Sequence, residues 1–331
     1  MRARRRTRRQ FLQDVAAVAA AGALAGIARA GDGPAAPAPG DGRTGTAEIP
    51  TRPLGRTGAR VTIVGLGGWH LGVPAEKDGV ALAQRAVDEG ITFLDNAGDY
   101  HSGESERRMG LALAAGGRRE KVFLMTKCCD HERTRDGSLR ALDEALARLR
   151  TDHLDLWQLH DITKPDDPAR CFAKGGAVEA LEAAKKAGKV RFVGFTGHRD
   201  PKLHLEMLAH GFPFDTIQMP LNPADPNFKS FEREVLPKAL ERGMGVIGMK
   251  SLAGGALAKA GIASASEVRR YAVSVPGVSV TVCGIDTEQV LAQDLALARG
   301  FKAMGEEERK ALSARFAEMN VEGKGEWYKR L

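Results

Sequence analysis

Cysteine is scarce in this chain, which has only four cysteines in 331 residues. Cys128 and Cys129 are adjacent, whereas Cys171 and Cys283 lie far from them and from each other. The sequence has no C-x-x-C pair and no zinc-finger spacing, and no set of histidines and carboxylates at metal-ligand spacing is evident. These absences argue against a disulfide-stapled framework, and we expect no bound metal.

Most of the chain has almost no net charge. Of 49 basic and 42 acidic residues, residues 1–30 hold seven arginines and one aspartate, which leaves 42 basic and 41 acidic residues for the remainder. An almost neutral remainder has no electrostatic footprint for a polyanion. We therefore expect no nucleic-acid partner.

The basic N-terminal segment contains a short apolar run. The motif T-R-R-Q-F-L at residues 7–12 precedes the alanine-rich run 15–27 and the A-R-A triplet at 28–30. The run is too short to span a bilayer as a stable anchor, whereas this order of features is typical of a twin-arginine export signal with an A-x-A cleavage site. The alternative is a basic helical N-terminus of a cytoplasmic protein.

The organisation of the chain follows from composition. We expect residues 1–30 to be a twin-arginine translocation (Tat) signal peptide, with the Tat export machinery as partner, a periplasmic or secreted bacterial location, and no stable membrane anchor after cleavage. Residues 31–50 are rich in glycine, proline, alanine and threonine, which predicts a flexible linker. Residues 51–331 form one predicted domain, and about 280 residues are enough to bury a full core.

Apolar strand-like runs alternate with helical segments along this domain. In segment 138–149, leucines recur at steps of three and four, which is the spacing of one helix face, and segment 177–187 behaves the same way. The predicted strands are Val61–Gly65, Ile91–Asp95, Val122–Lys127, Leu154–His160, Val190–Phe195, Thr216–Met219, Gly245–Met249 and Val278–Cys283. Eight strand–helix units in about 250 residues predict an α/β fold of the (β/α)8 barrel type.

Polar and ionisable residues stand at the ends of these strands. The carboxyl ends of barrel strands meet at one face, which carries the chemistry of barrel enzymes. The expected convergent set is Asp95, Tyr100, Lys127, His160, Thr196, His198, Gln218, Asn222 and Lys250. His160 by itself is best explained as a satisfied buried histidine, but three successive strands that each end in an ionisable residue favour a site.

The motifs around four of these residues resemble those of the aldo-keto reductase family. Asp95 and Tyr100 stand in L-D-N-A-G-D-Y, Lys127 in M-T-K, and His160 in D-L-W-Q-L-H. These are the family's catalytic Asp, Tyr, Lys and His in matching order and spacing. The resemblance therefore implies an NAD(P)(H)-dependent oxidoreductase that transfers hydride between nicotinamide and an aldehyde, ketone or sugar.

The resemblance extends along the domain. Segments 53–58 and 64–69 look like the family's N-terminal hairpin and first barrel strand, and segment 188–194 looks like its fifth strand. The similarity covers roughly Arg52 to Arg315, which makes it more specific than any single motif. It implies a TIM barrel with a short N-terminal β-hairpin.

The resemblance also implies roles for the four residues. Tyr100 is expected to be the general acid or base, and because a free tyrosine has a pKa near 10, we expect Lys127 to lower that pKa. Asp95 is expected to hold Lys127 charged and oriented. His160 is expected to direct the carbonyl oxygen by a hydrogen bond.

The cofactor implied by the resemblance is NADP(H) or NAD(H). Two family positions depart from the pattern: Gly197 replaces the usual Asn, for which His198 is the candidate substitute, and Met249 replaces an aromatic that stacks on nicotinamide. The expected cofactor-binding residues are Gly68, Trp69, Asp95, Thr196, His198, Gln218, Met249, Lys250, Ser251, Leu252, Asp286, Glu288 and Asp294.

The segment after the last strand bears on the choice of dinucleotide. Residues 284–290 contain Asp286 and Glu288 and no cation, whereas relatives that prefer NADP(H) have cations there for the 2′-phosphate. Carboxylates repel a phosphate and accept hydrogen bonds from ribose hydroxyls. The pattern leans slightly toward NAD(H), with Lys250, Arg299 and Lys302 as other cations that can reach a phosphate.

Two other function classes compete with this interpretation. A nicotinamide-binding regulatory or sensor subunit without significant turnover is the main alternative, and the intact catalytic set argues against it. A barrel lyase or isomerase for sugars usually needs a metal or a Schiff-base lysine with other neighbours. The substrate depends on the loops 131–137, 162–176 and 224–230, whose composition is only generically polar.

The leader supplies a first testable prediction. Arg8→Lys combined with Arg9→Lys should block export, because a receptor reads the arginine pair and a general positive charge does not replace it. Fractionation of the bacterial host measures this. An uncleaved wild-type protein in the cytoplasm would contradict the prediction.

Overall fold

The computed structural model describes residues 48–330. The Tat signal peptide predicted for residues 1–30 and nearly all of the predicted linker lie outside the described residues, so both stay predictions. Among the last linker positions, Ile49 is already buried in the core and the Pro50 carbonyl accepts a hydrogen bond from Ile63. Between residues 48 and 330, no helix has both the length and the apolar character needed to cross a membrane.

Within residues 48–330, ten strands form a two-stranded antiparallel hairpin and a closed barrel of eight parallel strands. The hairpin consists of β1 (Thr51–Pro53) and β2 (Arg60–Thr62). The barrel strands are β3 (Val64–Gly67), β4 (Phe93–Asp95), β5 (Phe123–Cys128), β6 (Leu154–Leu159), β7 (Val190–Thr196), β8 (Thr216–Pro220), β9 (Gly245–Met249) and β10 (Val278–Gly284). They neighbour each other in chain order, and β10 pairs with β3 to close the ring. The predicted (β/α)8 barrel with its N-terminal hairpin is confirmed.

Helices follow every barrel strand and surround the barrel. They are α1 (Glu76–Asp88), α2 (Glu104–Leu113), α3 (Arg135–Leu149), α4 (Asp167–Phe172), α5 (Ala177–Lys186), α6 (Pro201–Ala209), α7 (Phe231–Glu234), α8 (Leu236–Glu241), α9 (Ala256–Lys259), α10 (Ala265–Ser274), α11 (Glu288–Arg299) and α12 (Glu306–Arg315). In α3, the Thr134 side chain caps the first turn by accepting a hydrogen bond from the Gly137 backbone N–H. The helix buries Leu142, Leu146 and Leu149 against the barrel, as their spacing predicts.

The first predicted strand, Val61–Gly65, is wrong because it merges two strands. Thr62 still pairs with Thr51 in the hairpin, whereas Val64 pairs with Thr281 of β10. The apolar run continues without interruption while the backbone changes partners. A hydrophobic pattern reports burial and not the identity of the pairing strand, so it cannot locate this boundary.

The hairpin closes the amino-terminal end of the barrel. Its apolar side chains join inward-facing strand residues in one buried cluster, which consists of Leu54, Val61, Phe93, Phe123, Met125, Leu156, Ile247 and Val280. Gly55, with φ +53°, lies so close to β9 that an added Cβ would be 2.2 Å from the Gly245 nitrogen. Because this cluster fills the amino-terminal end of the barrel, a site can form only at the opposite, carboxyl end. All four cysteines are free.

His204 of α6 supplies a prediction about stability and pH. Its ring is buried among Phe195 and Phe231, and burial lowers the pKa of its imidazole to about 3. The unfolded chain binds this proton near pH 6.5, so between about pH 6.5 and 3 unfolding takes up a proton and stability falls as pH falls.

We expect the pH 7.5-to-5 loss of unfolding free energy to be about 2 kcal/mol smaller in His204→Gln than in wild type. Urea unfolding at the two pH values measures it. His153→Gln, at a half-exposed position, serves as the control and should keep the wild-type loss. Equal losses in all three proteins would contradict a neutral buried His204.

Candidate active site

Two charged side chains at neighbouring strand ends form the centre of the site. Asp95 is the last residue of β4, and Lys127 is the penultimate residue of β5. Both side chains are almost completely buried, with 3% and 1% of their surfaces exposed. Strand order therefore places a buried ion pair at the carboxyl mouth of the barrel.

The Lys127 ammonium connects this ion pair to Tyr100. Its Nζ lies 2.7 and 2.8 Å from the two Asp95 carboxylate oxygens, 2.8 Å from the Asn96 carbonyl and 3.3 Å from the Tyr100 hydroxyl. The Gln218 amide also donates to Asp95 Oδ2 at 2.8 Å. These bonds fix both the carboxylate and the ammonium beside the phenol.

The predicted lowering of the Tyr100 pKa is wrong for this structure. Burial raises the pKa of the Tyr100 hydroxyl well above its ordinary value, and the negative charge of Asp95 adds to the increase. The Lys127 ammonium favours the phenolate, but burial and the negative charge of Asp95 outweigh it. The phenol is therefore protonated at neutral pH and is poised to donate a proton.

His160 lies next to the Tyr100 ring. The two rings are perpendicular with centroids 6.0 Å apart, and His160 Nδ1 is 3.4 Å from Cys129 Sγ. The Arg133 guanidinium fixes this loop by donating to the carbonyls of His160 and Asp161. Burial lowers the pKa of the His160 imidazole to about 3, so the ring is neutral at physiological pH.

The structure brings a further group together that the sequence did not indicate. Donor atoms of Asp99, Cys129 and His160 all lie within 4.8 Å of one another, and His131 Nε2 is 2.7 Å from Asp99 Oδ2. These residues are far apart in the chain and belong to three different loops. Their only signal in the sequence is that each lies within a few residues of a predicted strand end.

Gln218 and Asn96 leave buried polar atoms for a ligand. Gln218 Oε1 and Asn96 Nδ2 have no hydrogen-bond partner among residues 48–330. A buried orphan of this kind is costly unless a ligand or water satisfies it. One acceptor and one donor beside Asp95 suit a carboxamide such as that of nicotinamide.

Thr196, His198 and Met249 also lie at this face. Thr196 Oγ1 is 3.9 Å from the Met249 sulfur. His198 Nδ1 is 3.5 Å from Asp161 Oδ2, and its ring packs edge-on against Tyr328 at 5.7 Å. Burial lowers the pKa of His198 to about 4, so this side chain can offer a neutral donor or acceptor.

The segment after β9 has unusual backbone geometry. Lys250 has φ +55°, and Gly254 and Gly255 have φ +68° and +92°. An added Cβ on Gly255 would meet nothing within 4 Å, so open space lies beside this backbone. Ser251 is buried and Leu252 packs against the core, which fixes the segment.

Two aromatic residues near the C-terminus cover Lys250. Its Nζ lies 5.7 Å from the Trp327 ring centre and 5.8 Å from that of Tyr328. Asn222, which was expected at the mouth, is fully buried and anchors this tail by donating hydrogen bonds to Glu326 and Tyr328. The tail was missed because the family resemblance ends near residue 315. The sequence feature that could have indicated it is the adjacent Trp327 and Tyr328, since both residue types are rare in this chain.

Gly68 and Trp69 lie beside Asp95 at the end of β3. A Cβ on Gly68 would be 2.7 Å from the Asp95 carbonyl oxygen, so only glycine permits this close approach. The Trp69 ring lies 5.1 Å from that of His101, whose Nε2 donates to the Trp69 carbonyl at 2.9 Å.

The three acidic residues predicted to contact the dinucleotide differ in their surroundings. Glu288 forms an exposed ion pair with Arg85 at 2.9 Å, and Asp294 forms a buried one with Arg269 at 2.7 Å. Burial raises the pKa of Asp294 to about 6. Asp294 Oδ2 has no partner in the described chain. Asp286 is the one of the three for which no ion pair is found among the described residues.

The chain is similar in sequence to known oxidoreductases. The sequence profile of the Aldo/keto reductase family matches residues 63–272. The chain is 35% identical to "Uncharacterized oxidoreductase YrpG" of Bacillus subtilis over 62% of this chain and 67% of that protein. It is 32% identical to the 6-dehydroglucose reductase of Novosphingobium aromaticivorans over 62% and 70% of the two chains. It is 31% identical to the L-galactose dehydrogenase of Arabidopsis thaliana over 65% and 69%.

Solved structures support the same fold. An aldo/keto reductase from Klebsiella pneumoniae in complex with NADP and acetate superposes with a TM-score of 0.65 and 24% identity, covering 80% of this chain and 94% of that one. The aldo-keto reductase AKR11C1 of Bacillus halodurans, in its holo form, gives a TM-score of 0.67 at 21% identity, over 81% and 96%.

The buried ion pair supplies a prediction for Lys127→Met. This change leaves the Asp95 charge uncompensated, so we expect a loss of about 3–5 kcal/mol in unfolding free energy. Urea unfolding measures the loss. The double variant Asp95→Asn, Lys127→Met is the matched control and should recover much of it. If the double variant is no more stable than the single one, an uncompensated charge is not the cause.

Proposed function

This chain belongs to the aldo/keto reductase family, and on that premise we propose that it transfers hydride between a nicotinamide dinucleotide and a small carbonyl or alcohol, with Tyr100 as proton donor or acceptor. The observation that carries this proposal is the contact of the Tyr100 hydroxyl with the Lys127 ammonium at 3.3 Å. The same ammonium is held by both Asp95 oxygens. A nicotinamide-binding regulatory subunit does not need this arrangement, and neither does a sugar lyase or isomerase.

The chemistry follows from the protonation states of the site. In the reductive direction a nicotinamide held at this mouth would supply the hydride for the carbonyl carbon. Tyr100 donates its proton to the oxygen as negative charge develops there, and Lys127 stabilises the phenolate that remains. His160, which is neutral, directs the oxygen by a hydrogen bond. Asp95 acts as a positioning residue, because it holds Lys127 charged and oriented.

The cofactor is proposed to lie across the barrel mouth. Gln218 and Asn96 offer unpartnered polar atoms to the carboxamide. Thr196, His198 and Met249 border this side, and the open backbone at Gly255 suits the close approach of a diphosphate. NADP(H) or NAD(H) is the cofactor class that these groups fit.

The substrate class is proposed from the relatives. Two of them are named for sugar-type substrates, the 6-dehydroglucose reductase and the L-galactose dehydrogenase. The mouth of this barrel presents neutral histidines and an uncharged phenol, which suit a polyhydroxylated carbonyl compound. We propose a sugar or sugar-derived aldehyde or ketone.

The site of action is proposed to be outside the cytoplasm. The support is the leader sequence alone, with its arginine pair, short apolar run and A-R-A triplet. The Tat route exports folded proteins, which suits an enzyme that acquires its dinucleotide in the cytoplasm.

Tyr100→Phe tests the proposed acid. It should lower carbonyl reduction at least about 100-fold, because the proton donor is lost, while dinucleotide binding stays within about twofold of wild type. Steady-state rates and fluorescence titration measure the two effects. Tyr271→Phe is the matched control, since that hydroxyl bonds to Glu232 away from the mouth. Wild-type turnover in Tyr100→Phe would overturn the assignment.

The choice of dinucleotide gives a separate prediction. Because no ion-pair partner of Asp286 is found between residues 48 and 330, we expect NADH to bind at least as tightly as NADPH, and Asp286→Ser to strengthen NADPH binding by relieving repulsion of the 2′-phosphate. Titration of the purified protein with both dinucleotides measures this. NADPH binding at least ten times tighter in wild type, about 1.4 kcal/mol, would show that a cation elsewhere holds the phosphate.

A further inference from the structure

A group of metal-type ligands includes His160, whose ring packs edge-on against that of Tyr100, and it has no part in the proposed hydride transfer except through His160. It consists of the Asp99 carboxylate, the Cys129 thiol and the His160 imidazole, whose donor atoms all lie within 4.8 Å of one another. Asp99 follows β4, Cys129 follows β5 and His160 follows β6. The ends of three neighbouring barrel strands therefore bring three different ligand types close together.

Two of the three ligand separations are close to those around a small tetrahedral ion. Cys129 Sγ is 3.4 Å from His160 Nδ1, and His160 Nδ1 is 3.9 Å from Asp99 Oδ2. Zinc–ligand bonds of about 2.0–2.3 Å at tetrahedral angles place ligand atoms about 3.3–3.7 Å apart. Shifts of a few tenths of an ångström at these two distances, together with a closer approach of the Asp99 carboxylate to Cys129 Sγ, which now lies within 4.8 Å of it, complete the geometry.

A fourth residue supports the carboxylate. His131 Nε2 is 2.7 Å from Asp99 Oδ2, and this hydrogen bond orients the oxygen that faces His160. Partners that hold a ligand in this way are a regular feature of metal sites. The cluster thus has three ligands and one orienting residue.

We propose that Asp99, Cys129 and His160 bind a thiophilic divalent cation, with Zn²⁺ as the natural class. One thiolate, one imidazole and one carboxylate suit zinc and do not suit Mg²⁺ or Ca²⁺, which prefer all-oxygen sites. Binding releases the Cys129 proton to solvent, because the thiolate is the ligand. His131 bonds to the Asp99 carboxylate and is not itself a ligand. The fourth coordination position of the ion is therefore open to water.

The consequence for activity rests on the proposed function. His160 is the residue proposed to direct the carbonyl oxygen, and ligation fixes its ring and places a positive charge beside Tyr100. We expect Zn²⁺ to inhibit carbonyl reduction by the wild-type protein. The inhibition should be at least about tenfold weaker in Cys129→Ser, because loss of a ligand lowers the metal affinity.

Cobalt titration of the full, tag-free chain tests the site without using activity. Co²⁺ should produce a thiolate-to-cobalt charge-transfer band that saturates at one equivalent and disappears on addition of Zn²⁺. Cys129→Ser should abolish the band, and His131→Ala should weaken cobalt binding about tenfold. Cys171→Ser and His153→Ala, whose side chains lie outside the cluster, should retain it, and circular dichroism checks the fold of every variant.

The outcomes are separable. Absence of the band in the wild type, or its persistence in Cys129→Ser, overturns the metal site. A band that follows these variants in a protein that reduces no carbonyl supports the metal site and refutes the proposed function. Carbonyl reduction without the band does the reverse.

Discussion

The ion pair between Asp95 and Lys127 is the interaction on which the site depends. Moving two charges out of water is costly, and the cost is offset only by close geometry and further hydrogen bonds. Here the ammonium reaches both carboxylate oxygens and the Asn96 carbonyl, while Gln218 donates to the same carboxylate. The barrel frame supplies this geometry by pairing β4 with β5. The Lys127 ammonium in turn contacts the Tyr100 hydroxyl and positions it.

Burial then sets the protonation of the other groups at the mouth. It raises the pKa of Tyr100 and lowers those of His160 and His198 to about 3 and about 4. At neutral pH the mouth therefore presents a phenol that holds its proton and two neutral imidazoles. Such a phenol is a poor acid toward water and becomes an effective donor only toward an oxygen that gains negative charge in the transition state.

The sequence was sufficient to predict the barrel, because hydrophobic periodicity and strand-end residues are local signals. It was sufficient for the approach of Asp95, Lys127 and Tyr100, because parallel strands end at one face. It failed at Val61–Gly65, where an apolar run changes pairing partners. It also failed for the Tyr100 pKa and for the Asp99–Cys129–His160 cluster, because burial and the aim of side chains from separate loops depend on tertiary packing. The export signal predicted for residues 1–30 lies outside the described residues and therefore stays a prediction.

The central claim is that this barrel mouth performs hydride transfer and does not merely hold a dinucleotide. Incubating the purified protein with nicotinamide dinucleotide deuterated at the transferable position, together with a panel of sugar aldehydes and ketones, tests it by mass spectrometry of the products. We expect an alcohol that carries one deuterium at the former carbonyl carbon, and no such product with Tyr100→Phe. Saturable dinucleotide binding without deuterium in any product would contradict it.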